Sequence, residues 1–346
     1  MFDFSSFLSN KAFITEDHHV YTYADLLGLS ERFSEHLVPR SLIFIGCENS
    51  LESIVAYVSC LRSGVVPLLL SRDVPDETLY HLEAIYHPRY CWFSSRRDLL
   101  VKGKEKYSLG GYSLIQYDGD SPVLPEGLAL LLTTSGSTGS PKLVRLSHDN
   151  LKSNACSIIE YLKITSSEKA ITSLPMYYSY GLSVLNSHLL AGATLLLTDK
   201  SYVQREFWKF VLEEKATSFA GVPFTYEILK KMRFEKFLPS SVKVMTQAGG
   251  KLNSSLIKYF SEYARLHDIR FYVMYGQTEA TARMSYLPAE YTLNKVGSVG
   301  VAIPGGHFSL IDEDGMRIVS PNVEGELVYE LSLIHISEPT RHLRIS

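Results

Sequence analysis

The chain is predicted to be an α/β protein. Helix-length apolar segments alternate with short apolar runs, and the helix-like segments halt at glycine before the next run begins. Residues from Ser50 to Ser63 carry the pattern most clearly. Ser50 is placed to cap a helix, Glu52 falls in its first turn, and Ile54, Val55, Val58 and Leu61 recur at helical spacing. Gly64 stops this helix, and Val65 to Leu70 reads as a buried strand. The same order returns further on. Val184 to Leu190 is apolar and helix-like, residues 191–193 (Ala-Gly-Ala) form the stop, and Thr194 to Thr198 reads as a strand. Two helix–glycine–strand units point to two related subdomains. Ser218 to Val222 and Val242 to Thr246 read as further short strands, each followed by a turn containing Pro or Gly. After about Ser285 the texture changes to strands and Gly/Pro turns, as in a small β-subdomain. The predicted division is residues 1–165, 166–284 and 285–330.

At 346 residues the chain is long enough to bury a large core across two or three subdomains. A hydrophobic fraction of 45% with 21% charged residues is ordinary for a globular protein. A net charge of −3 gives no reason to expect nucleic acid or an anionic membrane as partner. Cys47, Cys60, Cys91 and Cys156 form no C-x-x-C pair and no metal spacing, and are expected to be reduced, buried thiols. The start lacks a charged region followed by an apolar one, so no signal peptide is expected, and no apolar run approaches the ~20 residues of a membrane span. These features together predict a cytoplasmic protein.

The most informative stretch runs from Leu131 to Arg145. After the strand-like run Leu128 to Leu132 it places Thr134, Ser135, Gly136, Ser137, Thr138, Gly139 and Lys142 within a few residues. The glycines allow a loop to fold back and aim backbone N–H groups at an anion. The hydroxyls add neutral donors, and Lys142 adds a point charge. That inventory suits a polyphosphate. It is not a Walker A loop, because Ser140 and Pro141 precede the lysine and Leu143 follows it. The same residues argue against a kinase or P-loop ATPase.

The loop resembles the signature of the adenylate-forming superfamily: acyl-CoA synthetases, aryl-CoA ligases, luciferases and peptide-synthetase adenylation domains. A second stretch, residues 272–279 (Tyr-Val-Met-Tyr-Gly-Gln-Thr-Glu), resembles that family's Tyr-Gly-x-Thr-Glu motif. Weaker likenesses agree. Residues 174–182 (Leu-Pro-Met-Tyr-Tyr-Ser-Tyr-Gly-Leu) resemble the segment whose aromatic residue gates the carboxylate pocket, and 247–252 (Gln-Ala-Gly-Gly-Lys-Leu) the glycine pair beside adenine. Residues 297–305 and 324–327 resemble stretches near the end of the large domain. The implied fold is the large N-terminal domain of that family: two related α/β subdomains with mixed sheets and an incomplete small β-subdomain.

The resemblance implies ATP-dependent activation of a carboxylic acid as an acyl-adenylate with release of pyrophosphate. Transfer to a thiol follows, on CoA or on the phosphopantetheine of an acyl carrier protein. ATP and Mg²⁺ are the implied cofactors. Ser135, Ser137, Thr138 and Lys142 would hold β- and γ-phosphates, with Thr134 assisting. Gly249, Gly250 and Tyr275 would form the adenine slot. Gly276, Gln277 and Thr278 would lie at the nucleotide, Thr278 orienting the α-phosphate, and Glu279 would hold the metal. Tyr178, Tyr180 and Gly181 would line the acid pocket, although the tyrosines read equally as ordinary core. No acid stands beside Met176 to pair an amino group, which favours a plain carboxylic acid over an amino acid. Tyr178 occupies a place where many family members carry His. A non-catalytic ATP- or AMP-binding fragment is the alternative. A Tyr-x-Thr-Gly-Asp motif is expected after Glu330 and does not follow. Residues 331–346 read instead as translated sequencing adapter, a non-native tail, with the ribose-binding Asp and the small domain's lysine expected to be absent.

Overall fold

The computed structural model describes residues 1–94, 103–119, 122–133, 143–331 and 343–345. The chain opens with β1 (Lys11–Ile14) and β2 (Val20–Thr22), followed by α1 (Tyr23–Ser34), β3 (Leu42–Cys47), α2 (Leu51–Ser63), β4 (Val66–Ser71), α3 (Asp76–Tyr86) and β5 (Tyr90–Ser94). A hairpin of β6 (Gly103–Leu109) and β7 (Tyr112–Tyr117) precedes β8 (Leu128–Thr133), β9 (Leu143–Ser147) and α4 (His148–Leu162). The α2 unit forms as its sequence dictates. The Ser50 hydroxyl accepts from the Ser53 N–H, and Gly64 closes the helix at φ 71°, in the left-handed region. Strands β3 to β9 make a seven-stranded sheet ordered β6-β7-β5-β3-β4-β8-β9. Its centre is parallel, with β3 between β4 and β5. Because β3 is covered on both faces, it reads as an unbroken apolar run without alternation.

The second half begins with β10 (Lys169–Ile171), α5 (Ser179–Leu190), β11 (Thr194–Leu196), α6 (Arg205–Glu213), β12 (Ser218–Gly221) and α7 (Pro223–Met232). It continues through β13 (Val244–Gln247), α8 (Ser254–Leu266), β14 (Arg270–Tyr275), β15 (Ser285–Leu287) and β16 (Val301–Ala302). These strands join β1 and β2 in a nine-stranded sheet ordered β16-β15-β14-β13-β12-β10-β11-β1-β2. From β14 through β12 and β10 to β11 and β1 the pairing is parallel. Helix α5 starts at Ser179, about a turn before the apolar run at Val184. At Gly181 a Cβ would press on the Pro175 and Leu174 carbonyls, so glycine is what lets the helix begin there.

Sheet membership differs from the division read along the sequence. Strands β1 and β2, inside the predicted first subdomain, complete one edge of the second sheet; Phe13 pairs with Leu195. Strands β15 and β16, placed after the predicted boundary at 285, complete its other edge, with Tyr275 opposite Ser285. Local texture marks turns and strands, whereas backbone pairing is decided by partners far away in the chain. Among the described residues, β17 (Gly306–Ile311), β18 (Arg317–Ile318), β19 (Glu326–Leu331) and β20 (Leu343–Ile345) form the separate small sheet. Here β20, from the predicted non-native tail, pairs antiparallel with β19. An unpaired edge strand is a template that accepts extended backbone irrespective of its history.

The two large sheets share one core. The Tyr57 hydroxyl of α2 donates to Asn186 Oδ1 of α5 at 3.0 Å, and the Tyr23 hydroxyl of α1 donates to the Ala193 carbonyl at 2.6 Å. Both tyrosines are fully buried with their polar tips satisfied. Cys47, Cys60 and Cys91 are buried, but Cys156 is exposed on the outer face of α4, correcting that expectation. No helix among the described residues is long and apolar enough to cross a membrane.

Candidate active site

Four neighbouring parallel strands discharge their carboxyl ends on one edge of the nine-stranded sheet. β10 leads to residues 172–178, β12 to Val222 and Pro223, β13 to Ala248–Gly250, and β14 to Gly276–Glu279. In open α/β sheets, ligands bind in the crevice outside such carboxyl ends. Three separate sequence stretches singled out for chemistry therefore meet at one edge.

The Gly276 loop is tightly wound. A Cβ there would collide with the Ala282 carbonyl and lie 2.8 Å from the Arg283 Cα, so the position accepts only glycine. The chain doubles back over it: the Met284 N–H donates to the Tyr275 carbonyl at 2.9 Å, and the Ala282 N–H to the Gln277 carbonyl at 3.1 Å. Thr281 and Ala282 pay for this path with φ of 61° and 87°, left-handed values that are strained for non-glycine residues. The result is a single 3₁₀ turn, Thr278–Ala280, that leaves the Glu279 side chain exposed. Thr278 Oγ1 lies 3.1 Å from Ser179 Oγ in a hydrogen bond, joining this motif to the first residue of α5.

The glycine pair is set just as specifically. Gly249 has φ 82°, and a Cβ on it would stand 2.5 Å from the Tyr178 hydroxyl and 3.2 Å from Val222 Cγ1. Gln247 Nε2 donates to the Gly250 carbonyl at 2.9 Å and fixes the turn. Tyr178 is half-buried with its hydroxyl at this turn, and burial raises its pKa. Tyr180 points the other way. It is 3% exposed, and its hydroxyl donates to Thr246 Oγ1 at 2.8 Å. Tyr180 thus sits in the core directly beneath the site, edge-to-face with Tyr178 at 6.5 Å between ring centroids. Gly181 acts through close backbone packing. Tyr275 is half-buried, and burial raises its pKa also.

Thr134, Ser135, Gly136, Ser137, Thr138, Gly139 and Lys142 lie outside the described residues. Strand β8 carries the chain to Thr133, and β9 returns antiparallel to it from Leu143. Sequence reasoning missed Asn49. Its Oδ1 accepts from the Met176 N–H at 3.1 Å, and its Nδ2 donates to the Thr172 and Leu174 carbonyls at 3.0 and 3.2 Å. It ties the first sheet to the segment that presents Tyr178, yet an Asn just ahead of a helix cap looks like any turn residue. It also missed Arg283, a charge hidden inside an apolar stretch.

An α/β architecture with the Tyr-Gly-x-Thr-Glu turn, the glycine pair and the aromatic segment gathered at one sheet edge defines the large domain of an adenylate-forming enzyme. Residues 6–332 match the AMP-binding enzyme family, and the chain belongs to it. A 2-succinylbenzoate--CoA ligase of Bacillus cereus is 30% identical over 342 residues, covering 93% of this chain and 68% of that protein. An indoleacetate--CoA ligase of Aromatoleum aromaticum is 25% identical over 339 residues, covering 89% of this chain and 64% of that one. The solved structure of an o-succinylbenzoate coenzyme A synthetase from Bacillus subtilis, in complex with AMP, superposes with a TM-score of 0.74 at 23% identity. That match covers 93% of this chain and 67% of the other, and shows the shared fold. The chain spans about two thirds of the length of these relatives.

Proposed function

We propose that the chain carries the adenylation site of an AMP-forming ligase acting on a small carboxylic acid. One observation carries the reading: the hydrogen bond between Ser179 and Thr278. It joins the aromatic segment, expected at the acid, to the Thr-Glu turn, expected at the nucleotide, where acid and α-phosphate must meet. In the first step a carboxylate oxygen attacks the α-phosphorus, the bond to the β-phosphate bridge breaks, and pyrophosphate leaves. In the second, a thiolate sulfur attacks the acyl carbonyl and AMP leaves. The acceptor thiol is that of CoA or of a carrier-bound phosphopantetheine.

The first step joins two anions, so positioning and charge neutralisation dominate it. Thr134 to Lys142 would grip the β- and γ-phosphates, with Gly136 and Gly139 supplying the bend. Gly249, Gly250 and Tyr275 would border adenine. Gly276 and Gln277 would set the height of Thr278 against the α-phosphate. Glu279 fits a Mg²⁺ site: its carboxylate is exposed, without a hydrogen-bond or ion-pair partner among the described residues. Mg²⁺ takes few protein carboxylates and completes its shell with phosphate oxygens and water. When bound, the metal would offset phosphate charge. Tyr178 would gate the acid, with Tyr180 and Gly181 supporting that wall from behind.

Carboxylate-dependent exchange of pyrophosphate into ATP, measured on a protein of the relatives' full length and screened over a panel of acids, tests the proposal. Exchange that requires an acid supports it, while release of ADP, or nucleotide binding without exchange at any acid, overturns it. Adenylate binding is expected from this chain, and the complete cycle from a protein of the relatives' full length.

A further inference from the structure

Arg283 follows the turn that carries Thr278 and Glu279, and its backbone forms the floor of the Gly276 loop: a Cβ on Gly276 would lie 2.8 Å from the Arg283 Cα. Its carbonyl accepts from Asn154 Nδ2 of α4 at 3.0 Å. The side chain runs inward, and the residue is 2% exposed. Its Nε donates at 3.1 Å to Ser183 Oγ, one helical turn beyond Ser179, the partner of Thr278. Its Nη1 donates to the Tyr161 hydroxyl at 2.9 Å and lies 3.4 Å from Met274 Sδ. The guanidinium carbon stands 5.1 Å over the Tyr180 ring. Every one of these partners is neutral, and among the described residues Arg283 makes no ion pair. A guanidinium stays charged at any pH a protein meets, and a charge taken out of water with no counter-ion is costly. A residue needed only to tie α4 to α5 has no use for that charge, since well-packed neutral side chains do the same at no such cost.

The space beside the guanidinium admits about one water molecule, and the bond from Tyr180 to Thr246 stands between it and the site edge, so no substrate atom touches Arg283. Its charge does reach that edge. Burial raises the pKa of Tyr180 and of Tyr161, and the Arg283 charge opposes burial at both hydroxyls. The Tyr180 hydroxyl rests on Thr246, at the carboxyl end of β13, and its ring lies 6.5 Å from that of Tyr178. Two other titratable groups line the same space. His188 is neutral, because burial, with the Arg283 charge adding to it, pushes its pKa down to about 4. Glu168 precedes β10, at the end of the strands opposite the site edge, and is engaged by the Thr217 hydroxyl. A charge in a dry interior acts over a longer range than one in water. Positive charge without a partner therefore lies beneath the place where the proposed reaction brings a carboxylate and an α-phosphate together.

We infer that Arg283 is the buried counter-charge of the adenylation site: a positioning residue that touches no substrate and holds the anionic nucleotide against the Thr278 turn through its field. The bound anions are then the counter-ions it lacks in the free chain. The inference rests on the adenylation reading. A charge fixed by three neutral partners needs no rearrangement when negative charge gathers at phosphorus.

The probes are AMP and 5′-O-sulfamoyladenosine. They share the nucleoside and a group of similar shape, but AMP carries about two negative charges at neutral pH and the sulfamate none. Calorimetric titration of this chain is expected to show AMP bound the more tightly. Arg283→Gln should weaken AMP about fivefold or more while affinity for the sulfamate stays within about twofold. Arg283→Lys keeps the charge but not the planar fork, and should retain most of the preference for AMP. Equal binding of the two probes by the unaltered chain would overturn the inference. So would an equal loss for both in Arg283→Gln, which would make Arg283 a structural tie, or an unchanged AMP affinity in that variant. A folded Lys variant without the preference would overturn it as well. All of these outcomes leave adenylation standing. If the unaltered chain binds neither probe, the adenylation reading falls and this inference with it. Should the Gln variant not fold, the Lys variant decides alone.

Discussion

Gly249 and Gly250 are indistinguishable in the sequence, and the structure predicts opposite responses to the same change. At Gly249 an alanine must hold φ near 82°, which costs an L-residue about 1–2 kcal/mol. Its methyl would also stand 2.5 Å from the Tyr178 hydroxyl and 3.2 Å from Val222 Cγ1. The backbone cannot retreat, because Gln247 holds the Gly250 carbonyl at 2.9 Å. Tyr178 is half-buried, so its ring is the part that gives way, and displacement limits the overpacking cost to the low end of about 1–3 kcal/mol. Gly249→Ala should therefore cost about 2–3 kcal/mol of stability and displace Tyr178 from the proposed acid mouth. Affinity for an acylsulfamoyl adenosine should fall about tenfold or more. At Gly250 the backbone is ordinary, and the nearest atom to a new methyl is Pro223 Cγ at 3.2 Å, the tip of a ring that can pucker away. Gly250→Ala should stay within about 0.5 kcal/mol of the parent. Urea denaturation gives both stabilities, and calorimetric titration gives both affinities. Equal effects at the two glycines, or an unaltered affinity in Gly249→Ala, would refute the steric reasoning and remove Tyr178 from the mouth.

Further outcomes follow from the same geometry. Asp199, whose Oδ1 accepts from the Asn49 N–H at 3.0 Å, has its pKa raised to about 6 by burial and by neighbouring Glu48. The folded state then holds a proton that the unfolded chain releases near pH 4, so stability contributed by this group falls as pH rises through about 4 to 6. Because Asp199 is partly exposed, the effect is about 1–2 kcal/mol, and Asp199→Asn should flatten the difference between denaturation midpoints at pH 5 and pH 7.5; parallel pH profiles would contradict this. Thr278→Ala should lower pyrophosphate exchange about tenfold or more while Thr278→Ser, which keeps the hydroxyl bonded to Ser179, recovers most of it. Glu279→Gln should shift the Mg²⁺ dependence of exchange to higher concentration with little change in urea midpoint, because the side chain is exposed; an unshifted metal titration would leave Glu279 a solvated acid.

What could be read from the sequence was local. The cap and stop of α2 are written in Ser50 and Gly64, each supplying a backbone need that few other residues meet. The Gly276 turn could be located by its residues, since the collision with Ala282 leaves no alternative to glycine. What escaped was long-range. Nothing near Lys11 announces that its strand pairs with Leu195 rather than with the neighbouring β3, because pairing partners are chosen by the whole fold. Tyr178 and Tyr180 share one residue type two positions apart, yet one reaches the Gly249 turn and the other ends on Thr246 in the core. That separation depends on where α5 begins, and the apolar periodicity marked its start about a turn too late. Arg283 escaped for a related reason: a charge beside a motif is normally solvated, and only the packing of α4 and α5 shows this one turned inward.

The two sheets have different duties in the proposed reaction, and the shared core is what makes them one site. The stretch proposed to hold phosphate follows β8 of the seven-stranded sheet in the chain, while the positions proposed for adenine and acid follow β10, β13 and β14 of the nine-stranded one. In-line attack on phosphorus tolerates little misplacement, so relative motion of the sheets would cost rate directly. Asn49 answers that need. It stands just after β3 of the first sheet, and its single amide satisfies two carbonyls and one N–H of the Thr172–Met176 segment in the second. Tyr57 on Asn186 adds a second tie deeper in the core. Neither residue is placed to touch substrate. Their contribution to catalysis would be the fixed distance between two halves that the chain builds from separate stretches of sequence, and substitutions at Asn49 should therefore lower kcat through the geometry of Tyr178 and Thr278 while the phosphate contacts themselves remain.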